Sequence, residues 1–428
     1  MKTRMFLPVY RIAAQSLAPF SGLFLRRRAQ RGKEDVSRLG ERRGQPGLER
    51  PEGRLAWLHG ASVGEGLALL PLVDRLIDKG LHVLVTTGTV TSARILAQRL
   101  PSGAFHQYAP LDAPGFIATF LDHWRPDLFL LAESELWPNM ICAVHARGIP
   151  IASVNARLSL RSFSRWQMAP GFIGALLGRI DICLAQSDDD AGRLLQLGAP
   201  RVHAAGNLKY DVEAPPADPA RLDALVAAIG PRPVWVAAST HAGEEALALL
   251  AHKTLARQFP HLLTVLAPRH VARGDEITAL AREAGLETAQ RSRDEAPTRT
   301  TEVYVADTMG ELGLFYRLAS VIFVGKSLAG RGGQNPIEPA KLGSAILHGP
   351  HVGNFVDVYA ALDQGGGAFV VNDADELARR LAFLFSNPGL LRQAADFSRQ
   401  SVDALGGASD RVMRAIEPYI AAMIVSGQ

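Results

Sequence analysis

Glu65, Glu133 and Glu135 stand where a general base could work. Glu65 is the one titratable group in the loop of WLHGASVGEG (Trp57–Gly66), where an apolar run ends in small residues and enters a helical pattern. Gly60, Gly64 and Gly66 let a ligand approach the backbone closely, and the helix start adds partial positive charge. No Lys-Ser/Thr follows the last glycine and the GxGxxG spacing is absent, so the loop is neither a P-loop nor a dinucleotide fingerprint. Glu133 and Glu135 open ESELWPN (Glu133–Asn139) directly behind the run LFLLA. Charged groups at the mouth of a buried strand must be solvated or paired. A plainer reading stands beside each: Glu65 as a first-turn carboxylate favouring the helix dipole, and Ser134-Glu135 as capping chemistry.

The cations fall elsewhere. Lys209 lies in GNLKYD (Gly206–Asp211), and Arg269 in APRH (Ala267–His270) suits bidentate phosphate contact. STHAGEE (Ser239–Glu245) and DTMGELGLFY (Asp307–Tyr316) are further strand-loop-helix entries. In GKSLAGRGGQNPIEPA (Gly325–Ala340) a glycine-rich loop ends at Asn335-Pro336. Proline at a helix start fixes its direction, so loop N–H groups could hold a phosphate there and Glu338 could accept hydrogen bonds from a ribose; a hinge would read the same way. NARLS (Asn155–Ser159) with Arg161, Arg165 and Trp166 could meet an anionic, partly apolar acceptor. Asp188-Asp189-Asp190 has the DxD spacing of metal-dependent glycosyltransferases, but Ser187 before it and an apolar helix after it make it a capped helix start, and no metal site is expected.

Apolar runs alternate with helical patterns through most of the 428 residues. Expected strands are 55–59, 82–86, 128–132, 151–154 and 182–185, then 234–238, 262–267, 302–306, 321–324 and 345–347, with helices such as 66–79, 91–99 and 113–123 between them. Such βα alternation predicts an α/β fold of two doubly wound, Rossmann-like domains facing a cleft. The expected division is an anchor helix with its basic flank at 1–28, a first domain at 29–211, a linker at 212–219 in the proline-rich DVEAPPADP, a second domain at 220–405 and a C-terminal helix at 406–428 that crosses back between the domains. Cys142 and Cys183 have no partner motif and the 12 histidines form no HxxxH or Cys/His cluster, so a reducing compartment without disulfides or structural zinc is expected.

Residues 1–50 hold 12 Lys/Arg against 4 Asp/Glu, so the overall charge of +4 is an N-terminal property. A basic end beside an apolar stretch points to an anionic membrane surface and away from nucleic acid. From Met5 to Leu25 the residues Phe6, Tyr10, Ala13, Leu17, Phe20 and Phe24 form one helical stripe, interrupted as a membrane span by Pro8, Arg11, Gln15 and Pro19 and followed by Arg26–Arg28. The stretch reads as an interfacial anchor or as a helix docked on the protein's own core.

Taken in order, ASVGE, ESELWPN, NARLS, GNLKYD, STH, PRH, DTMGEL and GGQNPIEPA resemble the 3-deoxy-D-manno-octulosonate (Kdo) transferases over nearly the whole chain. The resemblance implies the glycosyltransferase-B architecture and an inverting transfer of Kdo from CMP-Kdo to the primary hydroxyl of a lipid A precursor (lipid IVA) in lipopolysaccharide core biosynthesis. It implies a place on the cytoplasmic side of the inner membrane, against anionic lipid. It implies no metal and no cofactor, CMP-Kdo being a substrate. By the same resemblance Glu65 is the base, and Glu135 and Lys209 assist the transition state. Pro268, Arg269, Met309, Gly310, Glu311, Asn335, Pro336, Ile337 and Glu338 would bind the CMP portion. The alternative is another metal-free nucleotide-sugar transferase or epimerase on this fold.

Overall fold

Parallel strands buried on both faces read as continuous apolar runs, and the central strands here do so. The computed structural model describes residues 6–425, with side chains from 7 to 423. The expected anchor's start, including Met5, the Phe6 side chain and the end of the tail helix at 426–428 lie outside the described residues. The chain divides into two compact units. One runs to Val212 and takes in the chain again from Gly406; the other is Glu213–Leu405.

The first unit holds β1 (Leu55–His59), β2 (His82–Thr87), β3 (Ala104–Tyr108), β4 (Leu128–Ala132), β5 (Ile151–Ala156), β6 (Ile182–Ala185) and β7 (Val202–Ala204). Their order is β3-β2-β1-β4-β5-β6-β7, all parallel, with His59 of β1 opposite Thr86 of β2 and Leu131 of β4. Trp57 stacks on Phe129 at 4.0 Å on one face of the sheet. On the other, Leu58, Leu72, Val83 and Leu130 meet Val412, Ile416 and Ile420 of the tail helix Ala408–Val425. The tail is thus part of the first unit's core. Cys142 and Cys183 are free thiols.

The second unit holds β8 (Val234–Thr240), β9 (Leu263–Pro268), β10 (Thr288–Gln290), β11 (Val303–Val305), β12 (Val321–Val324), β13 (Ala345–His348) and β14 (Ala368–Val370) in the parallel order β10-β11-β9-β8-β12-β13-β14. Strand order reverses between β1 and β4 in one sheet and between β8 and β12 in the other. In open α/β sheets ligands bind at the strand carboxyl ends beside such a reversal. The strands that pattern reading missed are β3, β7, β10 and β14, the edges of the two sheets. Edge strands are short and need no continuous apolar run; β3 reads AFHQY and β10 reads TAQ.

At the N-terminus, helices Phe6–Leu17 and Ser21–Gln30 are joined by a turn at Ala18–Phe20. The expected outward stripe is broken at Tyr10, whose hydroxyl donates to Asp112 Oδ2 at 2.9 Å and whose ring meets Phe172 edge-on. A phenol with a carboxylate partner docks inward where an alkyl side chain would not. Arg28 likewise pairs with buried Glu34 at 2.7 Å and is not free for lipid. Val9, Ile12, Leu17, Phe20, Leu23 and Phe24 are each more than half exposed. Among the described residues no helix is long and apolar enough to cross a membrane.

Candidate active site

At the reversal of the first sheet, β1 ends at His59 and Ser62 caps the helix Val63–Asp78. Ser62 Oγ accepts from Glu65 N (3.3 Å) and donates to Glu65 Oε1 (2.9 Å), while Ala61 N–H donates to Glu65 Oε2 (2.6 Å). The capping reading of Glu65 is therefore realised, as a capping box that aims the carboxylate from the end of β1. Gly60 is required: a Cβ there would fall 2.9 Å from Glu65 Cβ.

Beside it, β4 delivers Glu133 and Glu135. Glu133 has φ 49 and Asn155 φ 51, left-handed conformations that non-glycine residues hold only where the surroundings enforce them. Here Glu133 N–H donates to Val154 O at 3.0 Å, and Asn155 Oδ1 accepts from Leu208 N at 2.9 Å, pinning the GNLKYD loop. That brings Lys209 Nζ to 2.7 Å from Glu133 Oε1. Glu133, one of the strand-mouth carboxylates of the sequence reading, is what joins Lys209 to the cluster.

Glu135 Oε2 accepts from Trp137 Nε1 at 2.6 Å. Burial pushes the Glu135 carboxyl above its usual range; the Trp137 hydrogen bond opposes this, and the charges of Glu65 and Glu133 add to it. Glu65 and Glu133 are thus each near enough to repel Glu135. His59, missed in the sequence, is 2% exposed and has its Nε2 3.9 Å from Glu135 Oε2. Burial first, then Arg42, lowers its pKa to about 4 against the Thr86 contact, so it is neutral at pH 7. The signal available was a histidine ending an apolar strand just ahead of the small-residue loop.

The Asp188–Asp190 run is a helix start: Ser187 Oγ accepts from Asp190 N and donates to Asp190 Oδ2, and Asp190 Oδ1 accepts from Leu158 N at 2.8 Å. Among the described residues no group of three or more His, Cys, Asp or Glu could hold a metal ion. Arg157, Arg161 and Arg165 are exposed, and Trp166 stacks on Phe172 at 6.0 Å.

In the second unit, Pro268 ends β9 and Arg269 follows it, exposed, with its N–H donated to Thr240 O at 3.0 Å. His241 and His270 rings lie 5.6 Å apart, and Gln334 Nε2 is 3.0 Å from His241 Nε2. Met309 is 63% exposed and Gly310 takes φ 84, while Glu311 accepts from Arg291 (2.8 and 3.0 Å), Arg221 (2.9 Å) and Thr308 (2.5 Å). Those donors, Arg291 foremost, hold its pKa at about 2. Asn335 Oδ1 accepts from Ile337 N at 3.0 Å and its amide approaches Glu338 Oε1 at 3.3 Å; Pro336 and Ile337 are buried.

Much of the glycine-rich loop's backbone is already hydrogen-bonded within the protein. The N–H groups of Lys326, Ser327 and Leu328 donate to Glu244, those of Gly332, Gly333 and Gln334 to backbone carbonyls, and that of Ile337 to Asn335. At those positions the amides are spent, and the loop offers a phosphate its side chains instead.

Two parallel, doubly wound sheets, each presenting polar side chains at its reversal, define the Rossmann-like domain pair of the glycosyltransferase-B class. A UDP-GlcNAc 2-epimerase structure from Neisseria meningitidis shares the fold at TM-score 0.60, 14% identity, over 86% of this chain and 100% of that one. Residues 37–212 match the 3-Deoxy-D-manno-octulosonic-acid transferase (kdotransferase) family. The 3-deoxy-D-manno-octulosonic acid transferases of Bordetella pertussis and Haemophilus influenzae are 35% and 33% identical, over 96% and 90% of this chain and 99% and 91% of theirs. The chain belongs to this Kdo transferase family and is a glycosyltransferase.

Proposed function

We propose that the chain transfers Kdo from CMP-Kdo to the primary hydroxyl of a lipid A precursor, with inversion and without a metal, as an early step of lipopolysaccharide core assembly. The observation that carries this is the carboxylate cluster of Glu65, Glu133 and Glu135 at the first sheet's reversal, in a chain of this family. The acceptor oxygen bonds to the anomeric carbon as the bond from that carbon to the phosphate oxygen breaks. The leaving electron pair goes to CMP, and the hydroxyl proton goes to Glu65. Positive charge building on the sugar is offset by Glu135, which is partly buried beside Glu65 and Glu133 and accepts from Trp137 Nε1. Lys209, oriented by Glu133, and Arg269 offset the negative charge gathering on CMP. Pro268, Met309, Gly310, Asn335, Pro336, Ile337 and Glu338 shape the nucleotide site, and Glu311 keeps its loop in place through Arg291 and Arg221.

The exposed apolar residues of 9–24, with exposed Arg11, Arg26 and Arg27, lie on the cytoplasmic face of the inner membrane, where the lipid acceptor is found. The test of the whole reading is incubation with CMP-Kdo, generated in situ, or with UDP-GlcNAc, and a lipid A precursor, followed by product masses. Addition of Kdo from CMP-Kdo alone is expected. Transfer from the UDP-sugar and none from CMP-Kdo would overturn the reading.

A further inference from the structure

At the reversal of the second sheet, one buried carboxylate ties two loops together. Glu244, 1% exposed, accepts on Oε2 from both His241 N (2.9 Å) and Lys326 N (2.7 Å), and on Oε1 from Ser327 N and Leu328 N (3.0 Å each). A shared acceptor atom fixes His241, behind β8, against Lys326, behind β12. Arg269, behind β9, is tied to the same strand end through Thr240 O, and Gln334 reaches His241 from the far side of the glycine loop.

Lys326 is held at φ 59. A glycine would take that conformation without strain, so a lysine there must be enforced by its surroundings. Glu244 enforces it, and Gly325 permits it: a Cβ on Gly325 would fall 2.6 Å from Ser239 O. Arg221, Arg273, Arg291 and Arg293 of the same unit are all paired with carboxylates. Among the described residues the Lys326 and Arg269 side chains have no hydrogen-bond or ion-pair partner. Of the Lys and Arg side chains on these loops, Lys326 and Arg269, unlike exposed Arg331, stand close enough to act on His241. That ring is held toward its neutral form by burial first, and by Lys326, His270 and Arg269 against Glu244, so it serves as a hydrogen-bonding group and not as a third cation.

Two cations suit a ligand with two separate anionic groups. A sugar acid activated by a nucleoside monophosphate has such a pair, one phosphodiester and one carboxylate; a neutral sugar lacks the second. We infer that Lys326 is a specificity-determining residue that pairs with the carboxylate of the donor sugar, while Arg269 holds the phosphate. The inference rests on the donor proposed above.

The test compares wild type, Lys326→Gln and Lys326→Arg by calorimetry with CMP and by initial rates with CMP-Kdo. Lys326→Gln is expected to raise the KM for CMP-Kdo about tenfold while the CMP affinity and kcat each change less than about threefold. Lys326→Arg is expected to restore most of the KM, since it keeps the charge. An unchanged KM in Lys326→Gln, or an equal loss of CMP affinity that places Lys326 on the phosphate, overturns the inference alone. Wild-type protein that does not turn over CMP-Kdo overturns the donor reading and the inference with it.

Discussion

The two sheet reversals have related topology and opposite chemistry. At β1 and β4 the polar groups are Glu65, Glu133 and Glu135; at β8, β9 and β12 they are the cations, exposed Arg269 and half-buried Lys326, while Glu244 is buried under four N–H donors and Glu245 is buried against Thr240 and Arg273. Strand order chooses the place, and the side chains decide what it does. The comparison also ranks the carboxylates. Glu244 and Glu311 are satisfied by protein donors, and Glu311 is pinned at a pKa of about 2. Glu135 is pushed the other way, by burial first and then by Glu65 and Glu133, against the hydrogen bond from Trp137. A carboxylate that the fold satisfies holds loops; one that the fold leaves short of donors has capacity for a substrate.

The sharpest break between the regions comes from Glu65→Gln. It is expected to lower the transfer rate by about 100-fold or more, the scale of losing a general base. A near-wild-type rate would remove Glu65 from the chemistry. Arg269→Ala acts on the other half: CMP affinity is expected to fall by about 1.5–3 kcal/mol, roughly 10- to 100-fold. Unchanged affinity in calorimetry would move the phosphate elsewhere. Next, replacing Ile12, Phe20 and Phe24 together by Glu is expected to cut co-sedimentation with anionic vesicles about tenfold and leave CMP binding unaltered. Equal sedimentation would make these helices a docked element and not an anchor.

Smaller effects separate satisfied from unsatisfied carboxylates. The folded-state pKa of Glu135 is raised, so its ionisation disfavours the fold at high pH and costs nothing once both states are protonated. Glu135→Gln should therefore raise Tm at pH 8 by about a few degrees, the gain fading as pH falls through the carboxylate range. Glu311 has a depressed pKa, so its stabilisation is present above about 4.5 and lost as pH falls toward about 2. Glu311→Gln should lower Tm at pH 7, with the difference shrinking below pH 4.5. The same sign for both variants in thermal melts would refute the contrast. The smallest expected effect is none: EDTA should leave the transfer rate unaltered, and loss restored by a divalent ion would return Asp188–Asp190 to consideration.

The sequence made the central strands legible because parallel strands covered on both faces must be apolar, as LFLLA and VIFV are. It made Glu65, Glu133 and Glu135 legible because each lies between the end of such a strand and the first turn of the helix behind it. Edge strands, freed from that requirement, carry no comparable signal. Pairings with a distant partner were also invisible. Glu133 was legible at its strand mouth but not its ion pair with Lys209, 76 positions away, nor the hold of Glu244 on a loop more than 80 residues on. Tyr10 fitted an apolar stripe until Asp112 gave its hydroxyl a partner. Periodicity records which face a residue shares, not which polar atom waits opposite it.

The division between a catalytic carboxylate and a nucleotide-holding arginine is tested most directly by one titration, CMP into Glu65→Gln and into Arg269→Ala, against wild type. The account predicts that Glu65→Gln binds CMP within about twofold of wild type while Arg269→Ala loses at least about tenfold. A comparable loss of CMP affinity in Glu65→Gln, or none in Arg269→Ala, would contradict it.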